Sequence, residues 1–209
     1  WVDLALLTGM RAFEIADFQD IHVIDPSLDN LASYHATIIG KGNKERQILV
    51  PRTLMQRLWT YKNNNERISR AIKWEVSNGV DKNKPLFINR SGGCVSEKSI
   101  SNIATFARKE LSQSGIVLNR TFHDLRATYA TNIAKYMLDK GLEPGFIEFK
   151  LMSLLGHSNF STTRKYLNFA RAVTFDSEMK GWADTIFDGI DVRLVGDYQH
   201  LLRNENDQY

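Results

Sequence analysis

A single cysteine, Cys94, leaves the chain with no internal disulfide. Such a sequence has no need of an oxidising compartment and points to a reducing one. No apolar run is long enough to span a bilayer, and nothing at the start resembles a secretory signal, so no membrane partner is expected. The five histidines (His22, His35, His123, His157 and His200) include no i, i+4 pair, and a lone cysteine completes no zinc spacing. A glycine-rich nucleotide loop is missing too. Neither a metal, nor ATP, nor another cofactor is implied.

What is present suffices for a core: 43% of the 209 residues are hydrophobic, which excludes a disordered chain. The length suits one large domain, or one with an appendage. The chain begins at Trp1 instead of Met, already inside an apolar pattern (Val2, Leu4, Ala5, Leu6, Leu7), and is expected to be a fragment lacking its N-terminal part. Net charge is only +3, but unevenly spread: beyond Tyr166 stand eight acidic residues against four basic ones. Residues 1–166 are therefore distinctly basic, which suits a polyanion because each neutralised phosphate releases counterions. The acidic tail is expected to cover protein instead.

Three stretches concentrate chemistry. In 154–170, LLGHSNFSTTRKYLNFA, a helix with apolar residues at Ile147, Leu151, Leu154 and Leu155 runs into Gly156, a residue that ends helices in the left-handed conformation. His157 is thus displayed at a break. Ser158, Ser161, Thr162 and Thr163 offer caps for a following helix, which carries Tyr166 beside the basic pair Arg164 and Lys165. Taken alone, Tyr166 reads as half-buried core and His157 as surface. In 120–131, RTFHDLRATYAT, Leu125, Tyr129, Ile133 and Met137 make an apolar stripe, while His123 and Arg126 share another face near the helix start. Cationic side chains buried there are disfavoured unless an anion joins them. Near the N-terminus, Arg11 and Glu14 follow a break at Thr8-Gly9 and share a helix face. The bland reading is a surface ion pair of little energetic value; the sharper one is an arginine fork held by a carboxylate and aimed at an anion.

Between these stretches the pattern predicts three short strands, at Ile21–Ile24, His35–Ile39 and Arg46–Val50. The last two are joined by Gly40-Lys41-Gly42-Asn43-Lys44-Glu45, whose glycines and asparagine permit a hairpin turn. Helical spacing follows from Thr53 to Val76, interrupted at Asn63-Asn64-Asn65. Pro85–Ile88 reads as extended, and Ser96 caps a helix through Ile100, Ile103, Ala107 and Leu111. The expected fold is a mainly α domain with a small three-stranded antiparallel sheet (α+β).

Together these residues resemble the catalytic domain of the tyrosine recombinase (phage-type integrase) family, whose core breaks and rejoins DNA. TGMRAFEI at 8–15 is similar to its first arginine box, GKGNKERQILVP at 40–51 to its lysine hairpin, FHDLRATYAT at 122–131 to its His-x-x-Arg box, and LLGHSNFSTTRKYL at 154–167 to its final His and Tyr box. The resemblance spans residues 1–170, in the family's order. Phe13 and Ala127 depart from the usual residue types, and the segments 63–84 and 142–149 are longer than the compact pattern.

The resemblance implies roles. Arg11 and Arg126 would bind the scissile phosphate, Lys41 would protonate the leaving 5′ oxygen, His123 and His157 would move protons and bond the phosphate, and Tyr166 would attack. Glu14 would support the site, while Lys44, Arg46 and Arg164 would meet DNA backbone. It also implies a catalytic domain over 1–172, an acidic tail over 173–209 docking on its own body or on a neighbouring protomer, and an absent N-terminal DNA-clamping domain. The partners would be double-stranded DNA and further copies of the chain, as a tetramer on DNA, with no small-molecule substrate. The implied setting is the bacterial cytoplasm, in association with DNA, in the service of a mobile element or prophage. Two alternatives stay open here: relaxation of DNA in the manner of a type IB topoisomerase, and a catalytically silent DNA-binding regulator.

Overall fold

Gly9 divides the N-terminal apolar run. Its φ of 67° ends helix α1 (Val2–Thr8), and its N–H caps back onto Ala5 O. The chain re-enters helix at α2 (Ala12–Ala16), with Arg11 as the extended N-cap residue. In this computed structural model, residues 1–80, 83–157 and 159–187 are described.

Strands β1 (Ser33–Gly40) and β2 (Lys44–Pro51) pair antiparallel, from Ser33 opposite Pro51 to Gly40 opposite Lys44. The turn residues Gly42 and Asn43 take positive φ of 76° and 57°, as the sequence of the loop requires. Alternation buries Tyr34, Ala36 and Ile38 on one strand and Arg46, Ile48 and Val50 on the other. Among the described residues the sheet has two strands, not three. The segment predicted as the first strand forms a 3₁₀ turn, Asp20–His22, in which Val23 N donates to Asp20 O. Only Val23 of its apolar residues is buried; Ile21 and Ile24 are exposed. A strand there would have one inward residue to anchor it, too little to outweigh the local turn.

Helix α3 (Arg52–Lys62) and helix α4 (Asn65–Asn78) are separated by the asparagine run, and the side chain of Asn64 caps α4 by accepting from Glu66 N. The stripe Ile68, Ile72 and Val76 is exposed; α4 buries Arg67, Ala71 and Trp74 instead. Pro85 and Ile88 take part only in isolated bridges, to Gln19 and Cys94. The helix predicted from Ser96 to Leu111 is broken at Asn102 into α5 (Glu97–Ser101) and α6 (Ile103–Gln113). Then follow α7 (Phe122–Asp139), α8 (Pro144–Leu155) and α9 (Phe160–Phe187).

Among the described residues, two main apolar clusters frame the chain's centre, beside a small third one of Ala71, Trp74 and Ile88. The larger gathers Leu4, Met10, Ile15, Phe18, Ile48, Val50, Leu54 and Phe122, from α1 through the hairpin to the start of α7. The smaller packs Tyr129, Ala134, Ile147, Leu151, Leu155 and Leu167 from α7, α8 and α9. Each fully buried Leu or Ile contributes roughly 1.5–3 kcal/mol of transfer free energy. Helix α7 belongs to both clusters, and Arg126 lies in the seam between them. The expected docking of the tail concerns residues 173–209; of these, residues 188–209 lie outside the described residues.

Candidate active site

Glu14 is the pivot of the seam. Its side chain is fully buried, and it accepts from Arg11 N at 2.7 Å and from Arg11 Nη1 at 2.9 Å. Arg46 approaches from β2, its Nη2 donating at 2.7 Å to Oε2, the oxygen that also accepts from Arg11 N. Arg126 Nη1 stands 4.0 Å from Glu14 Oε2. Three guanidinium groups therefore surround one carboxylate, an excess of positive charge in a region that water reaches poorly. Burial alone would raise the carboxyl pKa of Glu14, but the hydrogen bonds and charges of Arg46 and Arg11 prevail and hold it below the ordinary range.

Arg126 is 1% exposed. Its fork donates to two main-chain carbonyls, Gly9 O and Leu155 O, each at a helix C-terminus. This explains why a side chain with five donors is planted between the clusters: it ties the break after α1 to the break after α8. Its Nε is buried and has no hydrogen-bond partner among the described residues. A lost partner of that kind costs on the order of 1–3 kcal/mol. Burial, with Arg11 and Arg46 alongside, pushes the Arg126 pKa down to about 9, so the group remains charged at neutral pH.

His157 completes the cradle. Gly156 turns the chain at φ 60°, and His157 N–H reaches back to Met152 O at 3.1 Å. Arg126 Nη2 lies 3.2 Å from His157 Nε2, and Thr163 Oγ1 lies 3.0 Å from Nδ1. Arginine can only donate, so Nε2 accepts and Nδ1 carries the proton toward Thr163. Burial and then the charges of Arg126, Arg11 and Arg46 push the His157 pKa down to about 4. The imidazole is neutral until an anion offsets those charges. The Tyr166 ring stacks beside it, centroids 6.2 Å apart at 24°.

The remaining predicted residues fall at varying distance from this cradle. His123 lies in the first turn of α7, between the capping-box residues Thr121 and Asp124. It is exposed, and burial of part of the ring, then Arg126 and Arg11, lowers its pKa. Lys41 and Lys44 are exposed on the hairpin tip. They line a cleft of about 850 Å³ that they share with Arg11, Arg46, Gly156 and His157. Tyr166, stacked beside His157, also lines an apolar groove of about 810 Å³ with Phe122, Leu125 and Phe169. Arg164 is exposed on α9 and pairs with Glu148 at 2.7 Å. Arg46, expected to meet DNA backbone, is 8% exposed. Its guanidinium is occupied by Glu14, Gly9 O and Leu154 O, so a backbone contact from this side chain does not fit the geometry.

Residues 1–172 match the sequence profile of the phage integrase family. The chain belongs to the phage integrase family. Among relatives, it is 30% identical over 174 residues to tyrosine recombinase XerD of Staphylococcus haemolyticus, covering 81% of this chain and 49% of that protein. It is 32% identical over 171 residues to tyrosine recombinase XerC of Vibrio vulnificus, covering 79% and 44%. The chain spans about half the length, or less, of the curated relatives it matches. Among solved structures it is similar to the XerH site-specific recombinase bound to a palindromic difH substrate, with a TM-score of 0.56, 18% identity, and coverage of 85% of this chain and 43% of that one. For the XerA recombinase the TM-score is 0.52, at 21% identity, covering 84% and 56%. At such identities the likeness establishes the fold, a mostly helical integrase-family domain with a small antiparallel sheet.

Within the family frame, two residues matter that the sequence reading missed or miscast. Thr163 is fully buried, and its hydroxyl accepts from the His157 Nδ1–H that Arg126 sets; it was expected only as a cap. The cap before α9 is Asn159, whose Oδ1 accepts from Ser161 N at 2.8 Å. Arg46 carried a legible signal: it has the same parity as Ile48 and Val50, so strand alternation turns it toward the core.

Proposed function

We propose that this chain is the catalytic part of a site-specific DNA recombinase or integrase that cleaves and rejoins double-stranded DNA through a 3′-phosphotyrosine, in the service of a mobile element or prophage. The observation that carries the reading is the cradle of Arg11, Arg46 and Arg126 around Glu14, with its excess positive charge and a buried Arg126 Nε that has no hydrogen-bond partner among the described residues. A phosphodiester supplies the missing negative charge. Its pentavalent transition state concentrates more charge on the equatorial oxygens, where fixed guanidinium donors stabilise it, often the largest catalytic contribution.

In this reading Arg11 and Arg126 hold the phosphate. The Tyr166 hydroxyl attacks phosphorus, losing its proton as the new P–O bond forms, and the bond to the 5′ oxygen breaks. Lys41, on the exposed hairpin, delivers a proton to that oxygen. His123 and His157 bond the phosphate and take part in proton transfer, Glu14 supports Arg11, and Lys44 and Arg164 meet the DNA backbone. A phenol is a poor nucleophile at neutral pH, so the surrounding cations must favour its ionised form. The phosphotyrosine keeps the energy of the broken bond, so a 5′ hydroxyl of another strand can reverse the step without ATP or a metal. Four protomers on two duplexes are the assembly this exchange needs. The basic charge of residues 1–166 suits it.

The test is covalent trapping on a nicked suicide duplex, chosen by the protein itself from a random-sequence pool. The wild type is expected to form an adduct stable to denaturant, and Tyr166→Phe to bind the same duplex without one. An adduct in Tyr166→Phe would overturn the assignment. Exchange between two duplexes, as opposed to mere relaxation of a supercoiled circle, would distinguish a recombinase from a topoisomerase-like activity.

A further inference from the structure

The proposed reaction uses Arg11, Arg126 and His157 from the body of the domain, but Lys41 from the far end of a hairpin. Residues 41–45 are all exposed, and Arg46 is the first buried residue of β2. The hairpin therefore leaves the body at Arg46 and at Gly40 on the facing strand. Gly40 itself sits against the cradle: a Cβ there would lie 3.3 Å from Glu14 Oε1 and 4.0 Å from Arg11 Nη1.

Arg46 joins three parts of the domain. Its Nη2 donates to Glu14 Oε2 at 2.7 Å and its Nε lies 3.4 Å from Oε1, gripping both oxygens of the carboxylate that holds Arg11. Nη2 also reaches Gly9 O at 3.5 Å, two residues before Arg11. Nη1 donates to Leu154 O, three residues before His157. Gly156 is kept free of a side chain by the same residue, because a Cβ there would stand 2.7 Å from Arg46 Cδ. A further guanidinium, itself buried, beside the half-buried Arg11 and the buried Arg126 is electrostatically unfavourable and does not serve DNA contact. Linking the strand of the hairpin to both phosphate-binding segments accounts for its presence.

We infer that Arg46 is a positioning residue that sets the Lys41 hairpin at the correct height over the phosphate cradle. The inference rests on the reading of Lys41 as the acid that protonates the leaving 5′ oxygen. With Arg46 in place, the hairpin base, the carboxylate behind Arg11 and the loop of His157 form one rigid unit, and the reach of Lys41 is limited to the five residues beyond it. Without it, the cradle keeps Arg11 paired to Glu14, while the hairpin base loses its hold and the acid is misplaced.

The test uses leaving-group chemistry. Cleavage of an ordinary duplex is compared with cleavage of one whose scissile 5′ oxygen is replaced by sulfur, since a thiolate departs without a proton donor. Arg46→Gln is expected to slow cleavage of the ordinary duplex by up to roughly a hundredfold, the low end of what losing an acid costs because the acid is misplaced and not removed, and to recover most of that rate with the sulfur duplex. Lys41→Ala is expected to recover in the same way, and the double variant to be no slower than the slower single one. Should Lys41→Ala recover with sulfur while Arg46→Gln does not, Arg46 acts on the cradle and the inference is overturned, with the proposed function intact. Should neither recover, the acid role of Lys41 falls, and the inference with it. Arg46→Lys, which keeps the charge and one donor, is taken through the same comparison and judged by the same outcomes if Arg46→Gln proves unfolded by thermal melting.

Discussion

Arg126 is the largest fully buried side chain among the described residues, an unusual place for a residue type that is seldom buried without partners. Two carbonyls hold its fork, so its position does not depend on DNA. Arg126→Lys keeps the charge but loses the planar fork, and a lysine cannot reach both carbonyls and a phosphate at once. Cleavage is expected to fall by roughly 10²–10³, measured as the single-turnover rate of adduct formation, with duplex binding little changed. His157 carries the pH dependence. Its folded pKa lies below the ordinary imidazole value, at about 4, so the folded state resists protonation. Stability is therefore full near neutral pH and is lost as pH falls from the ordinary imidazole range toward about 4. Glu14, held below the ordinary carboxylate range, loses its contribution in the same direction as pH falls further. Melting temperature against pH is expected to drop on this acid side, and His157→Gln to flatten the slope there. Proton NMR of His157 is expected to show its titration moving upward when Tyr166→Phe is bound to duplex, because a phosphate offsets the charges of Arg126 and Arg11.

At the scale of elements, the site is a set of helix ends. The break after α1 presents Gly9 O, the break after α8 presents Leu155 O and then His157, and the start of α7 presents His123 and Arg126. Gly156 bears two demands at once, a φ of 60° and the close passage of Arg46 Cδ. Gly156→Ala forces a left-handed alanine, roughly 1–2 kcal/mol, and displaces Arg46. It is expected to lower the melting temperature and to reduce cleavage by more than the lost stability explains, seen by comparing rates well below the melt. These glycines and the apolar stripes beside them were legible locally, because a helix stop and its periodicity are written within a few residues. The first predicted strand was not. Ile21, Val23 and Ile24 look alike in sequence, and only the body of the domain decided that one of them is buried and that a 3₁₀ turn forms. The exposed stripe of α4 has the same cause: Arg67 and Trp74 face inward because Asp20 and the carbonyls of Pro85 and Leu86 are there to meet Arg67.

Over the whole molecule, charge is divided between a basic body and an acidic end. Residues 173–209 hold eight acidic and three basic residues. Removing them is expected to raise non-specific affinity for duplex DNA, with the logarithm of affinity falling linearly with the logarithm of salt concentration in both forms. The same truncation is expected to weaken assembly on DNA, followed by analytical ultracentrifugation, more than it weakens adduct formation by a single protomer.

The sequence by itself determined the chemistry available: arginine, lysine, histidine and tyrosine in four boxes in the family's order, on elements whose starts and stops are local. It also determined the two-sided alternation that places Arg46 inward, although that consequence went unread. Only the tertiary structure decided which cations are buried together, because burial depends on partners far along the chain. Glu14 meets Arg46 across 32 positions and Arg126 meets Gly9 across 117. No local pattern encodes those encounters; the packing of α1, the hairpin, α7 and α8 about one carboxylate does.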